Sequence, residues 1–151
     1  MAKRRRVTAG TILVALLAAW LLSACGGGGA ATTGNDGPIE GLARNRDGYA
    51  DIDTDRLAAL LEEKDVTLVN VHIPYEGELP ETDLFIPYNE MRDHLDELPA
   101  KDAPIVLYCR SGNMSTTAAR VLAQEGYTNV MELDGGFNAW KAEGREFMET
   151  R

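Results

Sequence analysis

The chain reads as an α/β domain, a mainly parallel sheet with helices on both faces. Val66–Val71 and Ile105–Tyr108 are short apolar runs rich in β-formers, and Val130–Leu133 is a third. Such runs mark strands buried on both faces. Segments with helical spacing lie between them, and strand–helix alternation builds parallel sheets. The length of 151 residues, with 44% hydrophobic and 26% charged, suits one folded domain with a leader.

Tyr49-Ala50-Asp51-Ile52 alternates weakly and reads as an edge strand. Asp53 or Thr54 caps a helix in which Leu57, Leu60 and Leu61 share one side, running to about Lys64. The strand at 66–71 follows. Residues 72–88 carry three prolines and Gly77 and read as a long irregular segment, the kind that is usually functional or mobile. Asn89 to Leu98 places Met91, Leu95 and Leu98 on one side of a short helix, and 99–104 is a turn. Ile105–Tyr108 leads into Cys109, and 110–114 is a tight polar loop. Ser115 or Thr116 caps a helix through Gln124, closed by Gly126. After the strand at 130–133, Asp134-Gly135-Gly136 turns the chain into a last helix, Phe137 to Glu143.

Lys3, Arg4, Arg5 and Arg6 are the only charges in residues 1–24. Of 15 Lys and Arg, 11 then remain against 24 Asp and Glu, a net of −13 for residues 25–151. So acidic a surface repels phosphate, which argues against a nucleic-acid partner. Two cysteines, Cys25 and Cys109, exclude a disulfide framework and a Cys-rich zinc site.

The basic start, the apolar run Val7–Leu22 and small residues ahead of Cys25 make a secretory signal over residues 1–24. An uncleaved anchor helix is the alternative, and the run is short for a span of about 20 residues. Leu22-Ser23-Ala24-Cys25 resembles a bacterial lipobox. The resemblance implies a lipoprotein with Cys25 acylated, palmitate among its chains, and held on the extracytoplasmic side of the envelope; several chains anchor stably where one does not. Arg4-Arg5-Arg6 touches the twin-arginine pattern, but the rest fits the general secretory route better. Residues 25–48 then read as lipidated Cys and flexible tether, and 49–151 as the folded domain. The thirteen residues after Cys25 reach roughly 20 Å as a flexible coil.

Cys109 lies where the most apolar strand ends and a helix begins, and in open α/β sheets chemistry gathers at that edge. A helix N-terminus offers unpaired N–H groups and positive charge, which hold anions and favour thiolate over thiol. Gly112 and Asn113 give the loop freedom to curl around the sulfur. The polar flanks predict a reachable sulfur. The competing reading is a small buried hydrophobe at a strand end.

Cys109-Arg110-Ser111-Gly112-Asn113-Met114-Ser115, after Ile-Val-Leu-Tyr, resembles the active-site loop of single-domain rhodanese-like proteins. Leu133-Asp134-Gly135-Gly136-Phe137-Asn138-Ala139-Trp140 is similar to that family's closing segment, and Leu68–Pro74 sits where the family has its strand ending in Asp-Val-Arg. The resemblance covers about 100 residues, from near Tyr49 to near Phe147. It implies a sulfurtransferase in which Cys109 takes a sulfane sulfur from thiosulfate or a related anion, holds it as a persulfide, and passes it to a thiol or protein acceptor. Arg110, Ser111, Gly112, Asn113, Met114 and Ser115 would bind the substrate through their amides, without metal or organic cofactor. Three departures stand out. Met114 occupies a position where many relatives carry Arg, leaving Arg110 as the nearby cation or implying a less charged donor. Asn70 and His72 replace an Asp and an Arg that brace the region. The acidic segment 73–88 only partly matches.

Four other readings are weighed. His72, His94, Cys109 and Met114 offer soft ligands of the kind copper(I) likes, but unrelated surface or supporting roles explain them more simply. Glu76, Glu78, Glu81 and Asp83 read as a solvated acidic loop. A Cys-x5-Arg phosphatase needs a cation closing the loop and a His before the Cys, where this chain has Met114-Ser115 and Tyr108. The nearer rival is a catalytically weak or inactive rhodanese-like module that binds or senses at the envelope.

Overall fold

The computed structural model describes residues 41–149. The expected signal, the lipidated Cys25 and all but the end of the tether lie outside the described residues. β1 (Ala50–Ile52), β2 (Thr67–Asn70), β4 (Leu84–Phe85), β5 (Ile105–Tyr108) and β6 (Val130–Leu133) form one parallel sheet in the order β1-β6-β5-β2-β4. β3 (Gly77–Glu78) pairs antiparallel with β7 (Met148–Glu149). The helices are α1 (Thr54–Glu63), α2 (Asn113–Gln124) and α3 (Gly136–Ala142). The α/β architecture read from the sequence is therefore the one observed.

Strand alternation divides the core into two layers. Ile105, Leu107 and Cys109 point to the face covered by α2, where they meet Val69, Val71, Ala118, Ala119, Leu122 and Val130. Val106 and Tyr108 point to the opposite face and meet Leu57 and Leu60 of α1 and Phe137 and Trp140 of α3. Each strand residue is buried on one side or the other, so β5 reads as a continuous apolar run. Tyr108 places its hydroxyl beneath the 72–88 segment. There it accepts from Leu79 N–H at 3.0 Å and lies 2.7 Å from Thr82 Oγ1. Burial pushes its phenol well above the usual range.

Local signals account for the ends. Asp53 caps α1, its Oδ1 accepting from Arg56 N–H at 2.8 Å. Gly126, with φ +88°, closes α2, and Tyr127 N–H reaches back to Leu122 O at 3.0 Å.

Four expectations are corrected. The N-cap of α2 is Gly112 in a left-handed conformation, not Ser115 or Thr116, and the helix begins at Asn113, at least three residues early. The helix expected over 89–98 is a single 3-10 turn at Met91–His94, since only Met91 is fully buried there and so short a helix gains little from propagation. The segment 72–88 is not wholly irregular; it carries β3 and β4. α3 spans Gly136–Ala142, one residue earlier at each end than expected.

Tyr108→Phe would leave the Leu79 N–H without its buried acceptor. It is expected to lower folding stability by about 1–3 kcal/mol, read as a lower urea midpoint at unchanged slope.

Candidate active site at the head of α2

The loop after β5 is fixed from below by α3. Phe137 N–H donates to Cys109 O at 2.9 Å, and Asn138 N–H donates to Arg110 O at 3.0 Å. Such close approach of backbone to backbone leaves no room for a side chain at Gly136. A Cβ there would stand 2.1 Å from Cys109 O and 2.7 Å from Arg110 C, and φ is +57°. Gly136 is thus a docking requirement of the Cys loop.

Above this clamp two donors reach the sulfur. Gly112 N–H reaches Cys109 Sγ at 3.2 Å, and Ser115 Oγ lies 3.4 Å from it. The first helical bond of α2 is Thr116 N–H to Gly112 O at 2.8 Å, so the amides of Asn113, Met114 and Ser115 precede any intrahelical partner. The helix head therefore presents an anion-binding surface beside the sulfur. Of the amides expected to surround Cys109, only that of Gly112 is within hydrogen-bond range of the bare sulfur. The expectation of a reachable sulfur is not met: Cys109 is 1% exposed, because it continues the inward stripe of Ile105 and Leu107.

The other residues singled out from the loop divide between water and core. Arg110, Ser111 and Asn113 are exposed, and Gly112 and Ser115 are buried. Met114 packs half-buried on the α2 side of the core, as a gap-filler does. Arg110 does not stand free as the cation that position 114 lacks, since its Nη1 donates to Glu76 Oε1 at 2.9 Å. Glu76 Oε2 also lies 3.5 Å from Nε2 of His72. The two substituted bracing positions act in their own way. Asn70 donates from Nδ2 to Gly77 O at 3.0 Å and accepts from His72 N–H at 3.0 Å. The His72 ring is 3% exposed, makes no hydrogen bond, and packs edge-on against Phe137 at 5.4 Å.

His94 is on the 3-10 turn, where Glu97 holds its imidazole above the usual range. Among the described residues no group of three or more His, Cys, Asp and Glu gathers in a way that could hold a metal ion. The acidic residues of 73–88 disperse. Glu81 and Asp83 pair with Lys64, and Asp83 also accepts from Leu68 N–H.

One residue of the site is absent from the sequence reading. Glu132 lies on the α2 side of β6, 2% exposed, with Oε1 2.5 Å from Ser115 Oγ. Burial pushes its carboxyl up to about 7; the Ser115 hydrogen bond opposes this, and Asp51 and Asp134 add to it. A carboxylate inside a strand read as buried on both faces was the available signal.

Two predictions follow from this geometry. Gly136→Ala combines a left-handed backbone with a backbone clash, and is expected to cost more than about 3 kcal/mol, measured by denaturant unfolding. For Glu132, the folded chain keeps a proton that the unfolded chain releases near 4.5, so its contribution to stability falls as pH rises from there through about 7. Glu132→Gln is expected to flatten that decline by an amount on the order of 1–3 kcal/mol between acid and mildly alkaline buffer, read from urea midpoints.

The sequence profile described as Rhodanese-like domain matches residues 53–143. A sulfurtransferase of Allochromatium vinosum is 38% identical over 98 residues, covering 62% of this chain and 90% of that protein. The thiosulfate sulfurtransferase GlpE of Vibrio cholerae is 30% identical over 95 residues, again 62% and 90%. Among solved structures, a rhodanese-related protein from Thermoplasma volcanium superposes with a TM-score of 0.58 at 28% identity, covering 66% of this chain and 98% of that one. The chain belongs to the rhodanese-like domain family.

Proposed function

We propose that the chain is a sulfurtransferase working through a Cys109 persulfide. The observation that carries this reading is the sulfur at the head of α2, with Gly112 N–H at 3.2 Å and the Ser115 hydroxyl at 3.4 Å. Cys109 Sγ as thiolate attacks the outer sulfur of a donor such as thiosulfate. A new S–S bond forms, the donor's S–S bond breaks, and sulfite leaves with the electron pair. The persulfide's outer sulfur lies toward the amides of Asn113, Met114 and Ser115, which stabilise its charge as an oxyanion hole does. An acceptor thiolate then attacks that outer sulfur, and Cys109 departs as thiolate. The reaction draws on no metal or organic cofactor. Arg110, Ser111 and Asn113 form the exposed mouth through which donor and acceptor arrive.

We place the protein on the extracytoplasmic side of a bacterial membrane, anchored by lipid on Cys25 and spaced by the tether. The export pattern of residues 1–24 supports this placement. Labelled palmitate is expected to enter the wild-type chain and not Cys25→Ala; equal labelling of both removes the anchor.

The burial of Cys109 and the Arg110–Glu76 pair favour a second reading, a catalytically weak or inactive module that binds or senses at the envelope. Intact mass separates the two. After incubation with thiosulfate, the full chain is expected to gain a single sulfur atom, and Cys109→Ser none. A wild-type chain that gains none belongs to the module. Met114→Arg is expected to raise the thiosulfate loading rate several-fold by restoring a cation at the helix head; an unchanged rate shows that the donor is recognised otherwise.

A further inference from the structure

The face of β6 turned toward α2 carries Val130 and then Glu132, a carboxyl in an apolar layer. It is not isolated. Its Oε1 is 2.5 Å from Ser115 Oγ, which is 3.4 Å from Cys109 Sγ and 3.0 Å from Gly112 O. A Cβ on Gly112 would stand 3.4 Å from the same Oε1, so the Cys loop lies directly over the carboxyl. The Ser115 hydroxyl owns one hydrogen and faces three acceptors. Which acceptor receives it depends on who else in the chain can donate.

Building on the sulfurtransferase reading, we propose that Glu132 is a positioning residue for Cys109 that works in its protonated form, donating to Ser115 Oγ and so turning the Ser115 hydrogen onto the sulfur. With the carboxyl protonated, the order of donation runs from Glu132 to Ser115 to the Cys109 thiolate. The sulfur then holds two donors, Ser115 O–H and Gly112 N–H. With the carboxyl ionised, Ser115 donates to Glu132 instead. The sulfur keeps Gly112 N–H alone and gains a negative neighbour one hydroxyl away.

The proton also has a path that leaves the charge of the site unchanged. As Cys109 Sγ–H gives its proton to Ser115 Oγ, Ser115 gives its own to Glu132 Oε1. Thiol plus carboxylate becomes thiolate plus carboxylic acid, with every hydrogen accounted for. Burial holds the carboxyl up to about 7, which puts the protonated form within reach near neutral pH. The charged groups acting on Glu132 are Asp51, its register partner on β1, and Asp134 just beyond β6, and both favour protonation. Leu107 is its register neighbour on β5, α2 turns Ser115 toward it, the Cys109 thiol lies one hydroxyl beyond, and the phenol of Tyr49 is buried in the same layer.

The test is a pH titration of thiolate ultraviolet absorbance on the full chain, with Cys109→Ser as the blank. Glu132→Gln keeps a donor and cannot ionise. Its thiolate is expected to form in a single step, with a midpoint lower than wild type by about one pH unit or more, a tenfold shift. Wild type is expected to titrate in a broadened, two-phase curve. Glu132→Leu suits the apolar face but donates nothing, and its midpoint is expected above that of Glu132→Gln. Coincident curves for wild type and Glu132→Gln, or for Glu132→Gln and Glu132→Leu, overturn the proposal. Should Glu132→Leu fail to fold, the comparison of wild type with Glu132→Gln decides alone. Sulfur loading from thiosulfate, followed by intact mass, keeps the two claims apart. No loading with the expected titrations removes the transferase reading, and loading with coincident titrations removes the role of Glu132.

Discussion

The structure turns on two backbone hydrogen bonds, from Phe137 and Asn138 to the carbonyls of Cys109 and Arg110. They weld the start of α3 to the end of β5. Because those carbonyls are held from below, the chain leaves β5 in a fixed direction, and Gly112 in its left-handed conformation starts α2 directly over the sulfur. The donors on Sγ and the open amides of the first turn both follow from that geometry. A glycine at 136 is needed for the weld, and burial of Phe137 and Trp140 against α1 and β5 holds α3 in place.

Electrostatics shape the site as much as packing does. In an acidic domain an anion-binding helix head is surrounded by opposing charge. Glu76 occupies Arg110, and Glu132 lies beneath Ser115. The first pair is half exposed, and such pairs are worth little in high dielectric. The second group is enclosed, where an ionised carboxyl is costly unless satisfied. The outer acid therefore occupies the cation of the loop, and the inner acid lies one hydroxyl away from the sulfur.

The sheet and the position of Cys109 were legible in the sequence because both are written in strong local signals. The apolar runs of β2, β5 and β6 are continuous, and Cys109 falls where such a run meets a polar turn. The start of α2 was misplaced because its cap is a backbone conformation of Gly112, not a side-chain oxygen. β3, β4 and β7 have two residues each, too few for any period to show. Burial of Cys109 and capture of Arg110 depend on partners 34 residues apart or in other elements, which no window of sequence contains. Glu132 was the discordant letter in an apolar run. Its meaning came only when β6 and α2 were brought face to face.

The sheet ends abruptly on both sides. β1 offers three residues, with the exposed Asp51 at its centre, and β4 only two. Margins this short deny a neighbouring polypeptide a template for strand addition, and the charge of Asp51 adds to this on the β1 side. Such domains at high local density can therefore collide repeatedly with little tendency to join edge to edge, and the acidity of the chain adds mutual repulsion to that colloidal safety.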